Sequence, residues 1–169
     1  MAKAYKGEAY KGETLDAITL EGVQITNKNF SGMNGMFDDG KRTFTVKLSQ
    51  DDSERLNRLG WDVNLVDGYN PGDPPIGYMN VQVRYDRIPA KVWTVIESEG
   101  NMSRSLRTEE TVGALDNMYV KSADLVIGGS VFSSGVGRYL RTGYFVIGEQ
   151  FEDPFAEKYG YSADEDCPF

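Results

Sequence analysis

The sequence predicts a mainly β protein: an OB-like antiparallel barrel with one short helix, long loops and a disordered acidic C-terminal tail. Three observations predict it. Apolar and polar residues alternate over several short runs, the mark of strands with one face buried. Only one short stretch carries helix start and stop signals. Glycine reaches 19 and tyrosine 10 of 169 residues, a composition that suits strands and turns better than helices. With 40% hydrophobic residues, the chain can bury one real core and still leave loose ends. We divide it into a flexible arm (1–14), a barrel domain (15–150) and an acidic tail (151–169).

The arm holds a tandem repeat, Ala4-Tyr5-Lys6-Gly7-Glu8 and Ala9-Tyr10-Lys11-Gly12-Glu13, which is polar and glycine-punctuated. It leads into no apolar stretch, so no signal peptide is expected. Ala17–Ile25 alternates around Ile18, Leu20 and Val23, with Gly22 marking a bulge. Asn29–Gly40 is a loop carrying Phe30, Met33, Met36 and Phe37. In the strand Arg42–Leu48, Phe44, Val46 and Leu48 oppose Thr43, Thr45 and Lys47. The helix follows, capped by Asp51 or Asp52, with Leu56 and Leu59 on one side and Gly60 as its stop. Trp61–Val66 is strand-like, and Asp67–Gly77 is a long loop. Tyr78–Tyr85 and Lys91–Glu97 are expected to pair as a hairpin around Asp86-Arg87-Ile88-Pro89. Glu99–Arg107 is polar and expected to be mobile, and Thr111–Leu115 forms a short helical turn. Met118–Gly128 and Arg138–Glu149 close the sheet as a second hairpin through Gly129–Gly137.

The composition lowers the case for catalysis. Histidine is absent, and the single cysteine, Cys167, permits neither an internal disulfide nor a cysteine-built zinc site. Asp38-Asp39, Asp51-Asp52 and Asp62 read as turn and cap residues before they read as Mg²⁺ ligands. Gly128-Gly129 and Gly135-Val136-Gly137 lack the Lys and Ser/Thr of a phosphate loop. No nucleophile–base pair is visible, so we expect no enzyme, no metal and no cofactor. No apolar run is long enough to cross a bilayer.

Charge is unevenly spread. Seven acids and one base from Glu149 onward give the last 21 residues −6 of the chain's −8, leaving −2 for the rest. A near-neutral body can carry a basic groove on one face. The expected hairpin buries Met79, Val81, Val83 and Tyr85 with Val92, Thr94 and Ile96. Its outer face then holds Tyr78, Arg84, Lys91 and Trp93. Exposed rings stack on unpaired bases whatever their sequence, and adjacent cations neutralise phosphates. The alternative for Trp93 is packing beneath the helix or the long loop. Phe30, Phe37, Lys28, Lys41 and Arg42 surround the first loop, which in such barrels flanks the binding face; Phe30 either joins that face or anchors the loop in the core. Arg138 and Tyr139 face opposite ways, so one of them reaches the groove.

The chain ends Asp164-Glu165-Asp166-Cys167-Pro168-Phe169. A partner can bury the Phe169 ring and hold its carboxylate with a cation, while Asp164, Glu165 and Asp166 meet a basic rim and Pro168 stiffens the tip. This end resembles the tip of bacterial single-stranded DNA-binding proteins, with Cys167 in the apolar position before Pro-Phe. Asn29-Phe30-Ser31-Gly32, then Arg42-Thr43-Phe44-Thr45-Val46, and a helix ending at Gly60-Trp61 resemble the single-stranded DNA-binding proteins of tailed phages. The resemblance implies an OB fold, sequence-independent binding of single strands, and recruitment of polymerase, helicase or nuclease through the tail. It places the protein in the cytoplasm, that of the bacterial host if phage-encoded, in replication, recombination or repair. The body is less basic than that family leads one to expect, and the N-terminal repeat has no counterpart in it. A β-rich phage structural or adaptor protein and a single-strand annealing protein are the rival readings. An unpaired edge strand makes a homodimer conceivable.

Overall fold

In the computed structural model the described residues are 13–33, 40–86, 88–98 and 100–148. The elements are β1 (Glu13–Asn29), β2 (Arg42–Leu48), α1 (Gln50–Arg58), β3 (Asn64–Val66), β4 (Ile76–Val83), β5 (Lys91–Ser98), β6 (Asn101–Arg107), a 3₁₀ turn (Val112–Asn117), β7 (Val120–Phe132) and β8 (Gly135–Ile147). Neighbouring strands β4, β2, β1, β7 and β8 are antiparallel, and a parallel contact between β4 and β8, Gln82 opposite Tyr139, closes them into a five-stranded barrel. This is the OB-like arrangement. Closure removes the strand edges that would otherwise invite unwanted pairing. β3 adds to the outer edge of β4, and β5 and β6 extend the sheet beyond the far half of β8. No helix among the described residues is long and apolar enough to cross a membrane.

The alternation in β2 acts as its sequence requires: Phe44, Val46 and Leu48 are buried, and Thr43 and Lys47 stay partly exposed. Phe44 meets Phe30 and Phe145 in a buried three-ring cluster at the barrel's centre. Trp61 lies almost fully buried against Gly129, where a Cβ would come within 2.7 Å of the indole. At Gly77, an added Cβ would overlap Ser53 Oγ, so α1 can approach β4 only because that position lacks a side chain. Gly22 does form a bulge: its φ is +64°, the β1–β7 register shifts between Leu20 and Val23, and its N–H donates to Asp124 Oδ1 at 2.8 Å.

Several expectations need correction. Ser49 caps α1, not Asp51 or Asp52; its Oγ accepts from the Asp52 N–H at 3.2 Å. Leu59 ends the helix and is 55% exposed, whereas Leu56 is fully buried. Within Trp61–Val66 only Asn64–Val66 pairs as a strand, because Trp61 turns into the core. The expected hairpin of Tyr78–Tyr85 with Lys91–Glu97 does not form. Each segment is instead a parallel neighbour of β8, β4 at Tyr139 and β5 from Thr142 to Ile147. The partner of β5 is the polar stretch that sequence assigned to a mobile loop: β6 pairs with it antiparallel, from Val92–Arg107 to Ser98–Asn101. This hairpin runs past the barrel, so Ile96, expected in the core, is 51% exposed. Val95, expected outside, is buried between its cross-strand neighbours Arg104 and Val146. Gly129–Gly137, expected as a loop, is mostly strand around a turn at Ser133-Ser134.

Candidate nucleic-acid interface

The outward face of β1, β2, β3 and β4 can be read row by row from the strand register. One row runs Gln24, Lys47, Tyr78, Asn64; the next Thr26, Thr45, Asn80; a third Thr43, Gln82 and, on β8, Tyr139. No row contains a carboxylate. An open groove of about 500 Å³ follows this face, lined by Tyr78, Thr45, Asp62 and the amides of Asn27, Asn64 and Asn80. Asn27 and Asp62 are the two non-glycine residues with positive φ, 50° and 56°, among the described residues. Asn and Asp tolerate that conformation better than other side chains do. Thr45 Oγ1 donates to Asn80 Oδ1 at 2.6 Å, which fixes the middle of the floor.

Arg138 belongs to this groove as a brace. Its guanidinium donates to the carbonyls of Trp61 (3.1 Å), Asn80 (3.3 Å) and Asp62 (2.8 Å). Burial lowers its pKa and nearby Asp62 opposes the shift, but an arginine so placed stays charged. Of the Arg138–Tyr139 pair, Tyr139 is the member whose ring borders the face. The Arg84 guanidinium stacks over it at 5.3 Å and is held by both oxygens of Asp86, at 3.2 and 2.8 Å. The Asp86 hydrogen bond is the main reason the Arg84 pKa is raised. A hollow of about 290 Å³ lies beside the pair, bordered by Arg141 and Ile88. Another of the same size, about 290 Å³, joins Gln82 and Arg84 to Lys41 and Arg42. The three depressions therefore follow the chain from Tyr78 in β4 to Arg84 just after it, a span of about 20 Å.

Not every expected contact survives. Phe30 is fully buried, so its ring has no face to offer a ligand; it anchors the first loop in the core. Asp116 holds that loop by accepting from the N–H groups of Phe30 (2.6 Å) and Ser31 (3.1 Å). Lys28 donates to the carbonyls of Leu115, at 3.0 Å, and Met118. Burial lowers the Lys28 pKa and Asp116 partly restores it. Arg42 is committed to Glu109, at 3.5 Å, and lies 5.9 Å from the Tyr85 ring centroid. Phe37, the N-terminal repeat up to Gly12 and the tail residues Asp164, Glu165, Asp166, Pro168 and Phe169 lie outside the described residues.

Tyr78 and Arg84 do not share a hairpin face with Lys91 and Trp93, because β8 stands between the two pairs. Trp93 lies opposite Tyr144 of β8, with ring centroids 5.8 Å apart and planes 8° from parallel. Arg104 of β6 places its guanidinium 4.2 Å from the centre of the Trp93 ring and donates to Tyr144 Oη at 2.8 Å. Sequence reasoning missed Tyr144, although Thr142-Tyr144-Val146 alternates like any half-exposed strand. Nothing in the sequence marks Arg104 as a strand residue, since β6 has no apolar stripe to announce it.

Residues 8–166 match a family described as "Putative phage ssDNA-binding domain". The chain belongs to this family. No curated protein and no solved structure matches it. The family's description names single-stranded DNA binding, and among the described residues no three His, Cys, Asp or Glu side chains gather as a metal site. A closed barrel whose β1–β2–β4 rows from Gln24 to Tyr139 carry no acid is the fold in which the family membership is realised here.

Proposed function

We propose that the protein binds single-stranded DNA without sequence preference and shields it during replication, recombination or repair, and that its acidic tail recruits partner proteins. The observation that supports the binding reading is the charge pattern of the β1–β2–β4 face. In a chain of net charge −8, the rows from Gln24 to Tyr139 carry Lys47 and no acid. OB folds bind oligonucleotides on this face and in the loops beside it. Tyr78 and Tyr139 supply stacking surfaces, the amides of Asn64 and Asn80 supply adaptable hydrogen bonds, and Lys41, Lys47 and Arg84 meet phosphates. Arg84 exchanges Asp86 for a phosphate oxygen at little cost, because both ends of that pair are exposed.

Fluorescence anisotropy with labelled oligo-dT and with duplex DNA, each at two salt concentrations, tests the reading. The expected result is single-strand selectivity, with Tyr78→Ala weakening binding by about 10-fold, as the loss of one stacked base would. Lys47→Ala should flatten the dependence of log K on log salt by about 0.7. Equal affinity for duplex, or no binding at low salt, rejects the proposal. For the tail, a chain ending at Ala163 should keep its affinity for oligo-dT and lose binding to purified polymerase, helicase or nuclease. Retention of all such binding would reject recruitment through the tip.

A further inference from the structure

We propose that the sheet extension carries a second base-stacking station, formed by Trp93 and Tyr144, onto which a single strand continues after leaving the barrel face. The inference rests on the single-strand reading above and adds a separate place of contact to it. Strand β8 links the two stations. Tyr139 borders the barrel face, Arg141 and Thr142 follow, Lys91 sits opposite Thr142, and Tyr144 sits opposite Trp93. Tyr144 lies five positions beyond Tyr139, about 17 Å along the strand. Arg141 and Lys91 are exposed between them, so the connecting path offers cations to a phosphate backbone.

The station itself is already a stack, with the protein's own guanidinium in the place of a ligand. Arg104 lies 4.2 Å from the Trp93 ring centre and 5.8 Å from that of Tyr144. The hydrogen bond to Tyr144 Oη anchors it, and among the described residues no carboxylate pairs with it. A nucleobase presents a flat π-face of similar thickness and can exchange with the guanidinium on Trp93. The displaced arginine then has a phosphate within reach, the anion its fork geometry suits. Leu106 and Met102 stand on the same face of β6 as Arg104, 52% and 65% exposed, and form an apolar rim.

The unpaired edge of β6 admits a rival occupant, a second copy of the chain. The sequence of the edge argues against it. β6 contains Arg104 and Arg107 and no acid, so antiparallel self-pairing about its centre would set like charges against each other. A polyanion meets no such repulsion.

The experiment uses the full chain and two oligo-dT lengths, about 4 and about 16 nucleotides, the ends of the range for one OB fold. Trp61 is buried, so quenching of indole fluorescence reports Trp93. Expected are quenching by the long oligonucleotide and its disappearance in Trp93→Phe. Arg104→Ala, at an exposed position that leaves the core intact, should flatten the salt dependence of long-oligonucleotide binding by about 0.7. Trp93→Ala should weaken the long oligonucleotide about 10-fold and the short one less than about 2-fold. Binding of both lengths by the wild-type chain with unchanged fluorescence overturns this inference alone. Equal losses for both lengths in Trp93→Ala overturn it too, by placing Trp93 within the first station. Failure of the wild-type chain to bind either oligonucleotide sinks the single-strand reading itself.

Discussion

Two aromatic clusters in this molecule have nearly the same spacing and opposite uses. In the barrel, Phe30, Phe44 and Phe145 meet with centroids 5.3, 5.4 and 5.6 Å apart, and none has any exposed surface. On the sheet extension, Trp93 and Tyr144 stand 5.8 Å apart beneath a guanidinium, partly open to solvent. Ring geometry alone therefore does not mark a site. The first cluster is sealed within the buried core and contributes stability. The second is bounded by an exchangeable cation and contributes a surface. Burial and the chemistry of the third member separate a core from a platform.

The comparison can be broken by truncation. Phe145→Ala should cost about 3–5 kcal/mol in urea unfolding, because a central ring of a packed barrel leaves a cavity that its neighbours cannot fill. A loss near 1 kcal/mol would show that the cluster is loosely packed and the contrast false. Asp116→Ala comes next. It strips the acceptor from two backbone N–H groups, those of Phe30 and Ser31, and the countercharge from half-buried Lys28. We expect about 2–3 kcal/mol. Asp116→Asn, which keeps one acceptor oxygen, should recover part of that. Trp93→Ala should cost less than about 1 kcal/mol, since the ring is partly exposed and stacks on the partly exposed Tyr144. If it destabilises the fold as much as Phe145→Ala does, Trp93 is a structural residue and the platform reading loses its basis.

Much of the core was legible because strand alternation is a local signal. Phe44, Val46, Leu48, Met79, Val81 and Val83 follow from period-two patterning alone, and all are buried. The barrel order was accessible at the level of class, since short strands, turns and one helix admit few other solutions. What failed was pairing. Nothing local in Tyr78–Tyr85 tells that its neighbour is β8 and not Lys91–Glu97, because the choice depends on a strand more than fifty residues away. β6 failed for a second reason: all its side chains but Arg107 are exposed, so hydrophobic periodicity has nothing to act on. The site inherited both errors. Tyr78, Arg84, Lys91 and Trp93 were each rightly assigned to outward positions, and the face they were thought to share is two faces divided by β8. Phe30 and Arg138 show the opposite limit. A ring and a cation near a binding loop look alike in sequence whether they meet a ligand or hold the scaffold.

Tyr85 lies between the two extremes of the comparison, half-buried with the Arg42 guanidinium 5.9 Å from its ring centroid. Burial pushes its phenol up from 10.0 to about 12, with Arg42 opposing and Glu109 reinforcing the shift. Between pH 10 and 12 the folded chain therefore keeps a proton that the unfolded chain has released. Stability from this group is fully present below pH 10 and is lost as pH rises through that window. The size of the loss is on the order of 1 kcal/mol once partial solvent exposure is allowed for. Tyr85→Phe removes the titration. Near pH 8 the variant should be slightly less stable than wild type, by less than about 1 kcal/mol, because it gives up only a long hydrogen bond to the Arg107 carbonyl at 3.4 Å. As pH rises toward 12 the difference should shrink and then reverse. Urea unfolding of both proteins across pH 8–11.5 measures it. A constant difference over that range would mean that the Tyr85 hydroxyl is solvated in the folded chain, and that its ring belongs with the open platform and not with the sealed core.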